Sequence, residues 1–415
     1  MNRIITYIIA GVMGVLFLGV GGWFIFFRTP DVGVESTNQT FPTTASQSTV
    51  PVTSEQTSEN NPQQTPNQSL DQTKKIFKVA EGPVASAVLI QTGSPTSTIA
   101  RYIMADTGRV FEIPLDSAGA VAKVVSNTTI PGLVRALWAE GGEAVLGQYF
   151  DSNTLKTIYL GFPKNTSSST LSRAIKIQFL PDDISDLAVS PDGASVAYIR
   201  KSSGSVSGYI ARADGTGSKK LFSLPLSQAL LSWPSQNILL IQSPAAAGVA
   251  GIAFSIDVKS AVVSPLLYAD GLTATADRAF SRVIYQTTTG SSRSTYIHDV
   301  RSGADRSISF DPFPENCSWS NVASTSLIMY CFLPLQYVLP SYLDLWHLGV
   351  FAASDSIFAF NTATLRSTIL VSPGSEDGGS EATISSIIIS PDDKYLLYVT
   401  KGGRELFGAR IQLPQ

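Results

Sequence analysis

The sequence predicts an all-β fold, a seven-bladed β-propeller preceded by one transmembrane helix and a disordered linker. Three observations carry this reading. Beyond residue 73 no long stretch repeats its apolar residues with a helical period; short alternating or apolar runs are cut instead by Gly, Pro, Asp and Ser. A strand, a Ser-Pro-Asp turn and a second strand occur together twice, at 187–200 and 387–400. First strands of this kind recur every 43 to 52 residues, the length of a four-stranded blade, and one interval of 69 marks an insertion.

Residues 4–27 form an uncharged, apolar run between Arg3 and Arg28. At about 1.5 Å per residue it makes roughly 36 Å of helix, enough to cross a ~30 Å hydrocarbon core with some tilt. A cleaved leader needs a shorter apolar region, about 7 to 15 residues, followed by a small-residue cleavage site. Here the run ends in Trp23, Phe24, Phe26, Phe27 and Arg28, which suits an interfacial anchor. Arg3 adds to the positive amino terminus, whereas Arg28 is soon offset by Asp31 and Glu35. The positive-inside bias therefore sets the N-terminus in the cytoplasm. Residues 1–28 read as a single-pass signal-anchor in the cytoplasmic membrane, with the rest outside.

Residues 29–73 are rich in Ser, Thr, Gln, Asn and Pro, and carry five acids but no Lys or Arg. Such a segment buries too little apolar surface to offset its ordering entropy, so it reads as a disordered stalk. Once the stalk's acids and the anchor's two arginines are set aside, acids and bases are equal in number over residues 74–415. A neutral domain does not choose its partners by gross electrostatic attraction, and without a basic surplus nucleic-acid binding is not expected.

Within the 74–415 domain, first strands are expected to start near Val84, Val134, Asp186, Ala229, Leu272, Asn316 and Ser385. In the turn of each close repeat, Pro pre-sets φ and the Asp that follows closes the bend. A second marker follows third strands: Asp214, Asp257, Asp299 and Asn361 each open a turn that precedes a short β-prone run. The last repeat supplies only three strands, near Ser385, Tyr395 and Glu405. Residues 74–79 are similar to 219–224, a fourth strand, so this N-terminal strand is expected to complete the last blade and close the ring.

The Ser190-Pro191-Asp192-Gly193 turn and the later Asp214-Gly215-Thr216 turn resemble the repeat of bacterial envelope proteins with TolB-like, WD40-like (PD40-type) β-propellers. As architecture the resemblance covers about 340 residues, but only the repeats near 186 and 385 match closely. The chain lacks the separate N-terminal domain of the translocation protein and keeps an anchor, so that family's partners do not transfer. What the resemblance implies is a toroidal binding platform, not a reaction.

Candidate chemistry is sparse. Gly215 to Lys219 lacks the spacing and the helix of a phosphate-cradling loop and reads as a hairpin turn. No Gly-x-Ser-x-Gly elbow occurs. His298 reads as a strand-surface residue, and neither it nor His347 has a ligand partner at metal spacing. The acidic clusters Asp182, Asp183, Asp186 and Glu376, Asp377, Glu381 could gather Ca²⁺, but lack the spacing of an EF-hand and read as solvated loops. No cofactor and no metal is expected. Cys317 and Cys331 fall on adjacent strands of the sixth blade; they can form a disulfide or sit as two small buried thiols.

The long interval belongs to residues 333–354, between the second and third strands of the sixth blade. It carries Tyr337, Tyr342, Trp346, His347 and Phe351 among Leu335, Leu339, Leu343, Leu345 and Leu348. Such a loop either packs on the propeller or serves a partner, and the aromatic content favours it as the partner-binding element. The function expected is a membrane-anchored extracytoplasmic propeller that binds or scaffolds an envelope protein. The alternative is a carbohydrate-active or other hydrolytic enzyme with carboxylates at the propeller channel, contributed by different blades.

Overall fold

A computed structural model of the chain describes residues 70, 74–93, 96–163, 175–290, 292–322, 327–334, 342–350, 353–374 and 382–412. The apolar run at 4–27 and the stalk, Leu70 excepted, lie outside them. Among the described residues no helix is long and apolar enough to cross a membrane.

Among the described residues twenty-eight strands form seven four-stranded antiparallel sheets, each ordered by sequence except one. The exception joins strand Ile76–Ala80 to the last strand, Leu406–Arg410, at the edge of the seventh sheet, so the two ends of the domain share a blade. First strands are Val84–Thr92, Leu133–Ala139, Ile184–Val189, Leu230–Ser235, Thr273–Ala276, Cys317–Trp319 and Ile384–Ile389, each within two residues of its expected start. Neighbouring blades touch around the whole ring, the seventh against the first.

The alternation of side chains along a strand explains this closure. In the second strand of blade 3, Val196 and Tyr198 face a core shared with blade 2, while Ala197 and Ile199 face a core shared with blade 4. Second strands are thus buried on both faces and read as apolar runs, Ser195 to Ile199 and Tyr395 to Val399 being examples. Fourth strands sit at the rim; Lys176–Phe179 is exposed throughout. Seven such interblade cores follow one another, the one between blades 7 and 1 holding Val79, Tyr102, Leu397 and Leu406. Leu70, the described residue of the stalk segment, is buried in that same core and donates its N–H to Ala120 O at 3.2 Å.

A cross-strand aromatic pair recurs in alternate blades between directly opposite positions of the second and third strands. Tyr102 stacks on Phe111 with ring centroids 5.6 Å apart, Tyr198 on Tyr209 at 5.3 Å, Tyr285 on Tyr296 at 5.1 Å and Tyr398 on Phe407 at 5.2 Å. Each such pair contributes roughly 0.5–1.5 kcal/mol beyond its buried area.

Candidate functional site

The ends of the first strands meet at one face of the ring, and there the repeated turns act as couplers. In blade 3, Ser190 Oγ donates to Asp192 Oδ1 at 2.5 Å and accepts the Ser195 N–H at 2.9 Å. In blade 7, Ser390 does the same to Asp392 at 2.8 Å and to Tyr395 N–H at 2.9 Å. The fourth turn residue has a left-handed backbone in both copies, φ +74° at Gly193 and +56° at Asp393. Each copy grips the preceding blade differently. Gly193 O accepts the Glu140 N–H at 3.0 Å, an approach that a side chain would block, because a Cβ on Gly193 would lie 2.6 Å from that nitrogen. Asp393 instead uses its carboxylate, which accepts the Asn321 N–H at 3.0 Å, the Tyr330 hydroxyl at 3.3 Å and the Ser320 hydroxyl.

This face holds a cavity of about 440 Å³, bordered by Ile90, Trp138, Gly142, Val189, Asp192 and Pro391 from four blades. Asp192 borders it with its carboxyl held below the usual range, chiefly by the Ser190 hydrogen bond and then by the Ala194 N–H. On the neighbouring turn Asp392 is also lowered: burial opposes ionisation, but the Ser390, Lys394 and backbone hydrogen bonds outweigh it. Carboxyls held ionised in this way accept hydrogen bonds and are poor proton donors.

The connections between second and third strands occupy the opposite face, and the insertion folds there. Helix α1 (Tyr342–His347) follows the second strand of blade 6. Leu343 and Tyr342 are buried against Phe313, with Tyr342 stacked on the Phe313 ring at 4.9 Å. Trp346 packs on Phe332 and lies under Lys401 of blade 7, whose Nζ is 4.2 Å from the ring centroid. Asp344 Oδ1 accepts the Ala247 N–H of blade 4 at 2.9 Å, and His347 Nε2 lies 3.2 Å from Glu315 Oε1. The helix therefore clamps blades 4, 6 and 7. Burial raises the carboxyl of Glu315, against the pull of His347. Burial likewise pushes Asp355 up to about 7, with the Ile384 N–H bond and Lys401 opposing it. Neither of these two carboxyls borders the 440 Å³ cavity.

Of the five aromatic residues singled out in the insertion, Tyr342, Trp346 and His347 are thus turned onto the propeller, while Tyr337 and Phe351 lie outside the described residues. Besides the edge of His347, α1 and the turn after it expose aliphatic side chains: Leu345 is 40% accessible, Leu348 73% and Val350 70%.

The remaining candidates fall as follows. Cys317 and Cys331 oppose each other on the first two strands of blade 6, with Cα atoms 4.1 Å apart, and are joined in a disulfide. His298, expected on a strand surface, is buried and bonded to Asp305 at 2.9 Å; its strand packs between its neighbours in the sheet. The first acidic cluster disperses. Asp182 pairs with Lys156 at 2.7 Å, while Asp186, expected in a solvated loop, is buried and ties three blades by pairing with Arg135 and accepting the Leu231 N–H at 2.6 Å. Glu376, Asp377 and Glu381 lie outside the described residues. Among the described residues no group of three His, Cys, Asp or Glu side chains is placed to hold a metal ion. Gly215 to Ser218 form a turn between the third and fourth strands of blade 3.

No family model matches the chain, and no curated protein matches it. Among solved structures it is similar to oligogalacturonate lyase from Vibrio parahaemolyticus, at 9% identity over 83% of this chain and 95% of that one, with a TM-score of 0.50. Hydrazine synthase from Kuenenia stuttgartiensis is similar at 11% identity over 81% and 97%, also with a TM-score of 0.50. TolB from Acinetobacter baumannii is similar at 11% identity over 79% and 80%, with a TM-score of 0.42. Identities this low show a shared propeller fold and nothing more specific.

Proposed function

We propose that the protein is a binding or scaffolding propeller of the cell envelope, tethered by residues 4–27 to the cytoplasmic membrane and displayed outside it on the stalk, and that a protein partner docks at the insertion of blade 6. The observation that supports this best is the arrangement of α1. Its aromatic residues are spent on clamping it to blades 4, 6 and 7, and a row of aliphatic side chains, Leu345, Leu348 and Val350, is left accessible on a rigid support. Apolar groups held on a fixed element lose little conformational entropy on docking, so their burial is not offset by ordering. The domain's charge balance suits recognition by apolar contact.

The hydrolase reading is less well supported. It needs a carboxyl able to donate a proton at an open cleft, and the one described carboxyl that borders the 440 Å³ cavity, Asp192, is held below the usual range.

Replacing Leu345, Leu348 and Val350 together by Ser tests the proposal. The triple variant should keep the wild-type melting temperature, because none of the three is a core residue. In intact cells it should lose the photo-cross-links that a probe placed at the adjacent Gly349, where a side chain meets nothing within 4 Å, makes to envelope proteins in the otherwise unchanged chain. Cross-links that persist unchanged in the variant rule out docking at this site.

A further inference from the structure

Between blades 5 and 6, on the face that carries α1, lies a second cavity of about 260 Å³. Its walls are aromatic: Phe310, Phe313, Phe332, Phe358 and Tyr342 all border it, as does the aliphatic stem of Leu333. Two polar side chains of opposite charge also border it, Arg293 and Asp311. The hydrogen-bonding capacity of these groups is spent unevenly.

Asp311 is mostly committed, with three of its roughly four acceptor positions in use. Its Oδ2 accepts Arg293 Nε at 2.6 Å, and its Oδ1 accepts both the Thr295 hydroxyl at 2.6 Å and the Gln286 amide at 2.7 Å. Arg293 is not. Only Nε is paired, the guanidinium lies 5.4 Å from the Phe313 ring centroid, and among the described residues its two terminal nitrogens have no hydrogen-bond partner. Asn316 provides the second unspent group. The residue is 6% accessible and borders the cavity, and its side-chain amide makes no hydrogen bond to any described residue. Its amide atoms are not sealed from solvent, so they are free to bond a molecule that occupies the cavity.

We propose that this cavity is a binding site for a small aromatic carboxylate: the ring between the phenylalanine walls, the carboxylate on the Arg293 terminal nitrogens and the Asn316 amide. The Arg293 terminal nitrogens are donors only and the Asn316 amide adds an NH2 donor beside its carbonyl oxygen, and a carboxylate supplies acceptors in the planar geometry that a guanidinium matches. The same geometry disfavours cations, because three of the roughly four acceptor positions of Asp311 are already used and Arg293 repels them. The volume is just under the ~300 Å³ at which drug-sized sites begin, which fits a single ring with a short acidic arm. This chemistry can come from a free acid or from the terminal aromatic residue of a polypeptide. The site faces away from the 440 Å³ cavity and does not depend on docking at the aliphatic row.

Titration calorimetry of the full chain with 3-phenylpropionate, its primary amide and a tripeptide ending in a free-carboxyl phenylalanine tests it. Saturable binding of at least one acid below about 10 mM is expected, with the amide weaker by about tenfold or more, the usual worth of one charge-assisted hydrogen bond. Which of the two acids binds more tightly decides the source. Asn316→Ala removes a group that holds nothing in place, and Arg293→Lys keeps the charge beside Asp311 but loses the fork; each should weaken the acid about tenfold without lowering the melting temperature. Should Arg293→Lys prove unstable, Asn316→Ala decides alone. The proposal fails if neither acid saturates, if the amide binds as well as the acids, or if Asn316→Ala binds the acid like wild type.

Discussion

Asp355 is an acid in an unfavourable place. Its Oδ2 accepts the Ile384 N–H of the next blade at 2.8 Å, while Oδ1 is buried with no partner among the described residues. With its carboxyl raised from 3.8 to about 7, the folded chain holds a proton that the unfolded chain has already released across that interval. Folding stability from this residue is therefore greatest below pH 4, falls as pH climbs toward 7 and stays low above it. Asp355→Asn keeps an acceptor for Ile384 and removes the charge. It should raise the melting temperature at pH 8, by the worth of a few kcal/mol at about 1.4 kcal/mol per pKa unit. At pH 4 it should give almost no gain. Thermal scans of both proteins from pH 4 to 8 check this, and a constant difference across the range contradicts it. The two Ser-Pro-Asp turns make a second point at this scale. Gly193→Ala adds a Cβ at a left-handed backbone and 2.6 Å from Glu140 N. A cost of about 1–2 kcal/mol for the backbone alone should lower the melting temperature by several degrees. Asp393→Ala loses stability for another reason, since it strips acceptors from Asn321 and Tyr330.

At the scale of elements, the strand Ile76–Ala80 completes blade 7, and Leu70 extends the same core. Three truncations separate these contributions. Deleting residues 1–62 leaves the compact unit that begins at residue 63. Deleting 1–73 loses Leu70 and its bond to Ala120, and should lower the melting temperature by a few degrees. Deleting 1–83 removes the rim strand, exposes the edge of Leu406–Arg410 and should drive aggregation. Equal solubility and stability of all three, read by light scattering and melting, contradict ring closure by this strand. The blades were legible in the sequence because each turn needs particular residues: Asp257 Oδ1 accepts the Ser260 N–H at 2.7 Å, and Asn361 Oδ1 accepts the Ala363 N–H at 2.9 Å, so a short acceptor recurs after third strands. The paired aromatics of alternate blades were not legible, because only the register sets Tyr198 opposite Tyr209. The direction of the insertion was not legible. Within a six-residue helix the spacing of Tyr342, Leu343 and Trp346 against Leu345 is too short a pattern to tell inside from outside. The partners that settle it, Phe313, Asp344's contact at Ala247 and Lys401, lie far apart in the chain. The same holds for Arg293 and Asn316, which no local motif brings together.

For the whole molecule, the tether, the neutral domain and the disulfide make one testable statement about location. A disulfide across adjacent strands persists where the surroundings are oxidising, and thiols of cytosolic proteins are kept reduced. The bond between Cys317 and Cys331 closes a loop of 14 residues in sequence. By loop-closure entropy it stabilises the folded chain by roughly 3 kcal/mol. Under the proposed address, with residues 4–27 keeping only the first few residues in the cytoplasm, display outside the membrane and retention of this bond stand together. Thiols trapped in intact cells with a membrane-permeant alkylating agent, before any lysis, give the measurement. Cys317 and Cys331 should both remain unalkylated until a reductant is added, and protease supplied outside the cytoplasmic membrane should remove the propeller while leaving an N-terminal fragment that contains the 4–27 run. Full alkylation of both cysteines in living cells, with a propeller that protease reaches only after the cytoplasmic membrane is dissolved, would place the domain in the cytoplasm and overturn the proposed address. Reduced thiols on an externally cleaved propeller would leave the address standing and remove the disulfide's share of the stability, which the double Cys→Ser variant would then show by melting at the wild-type temperature.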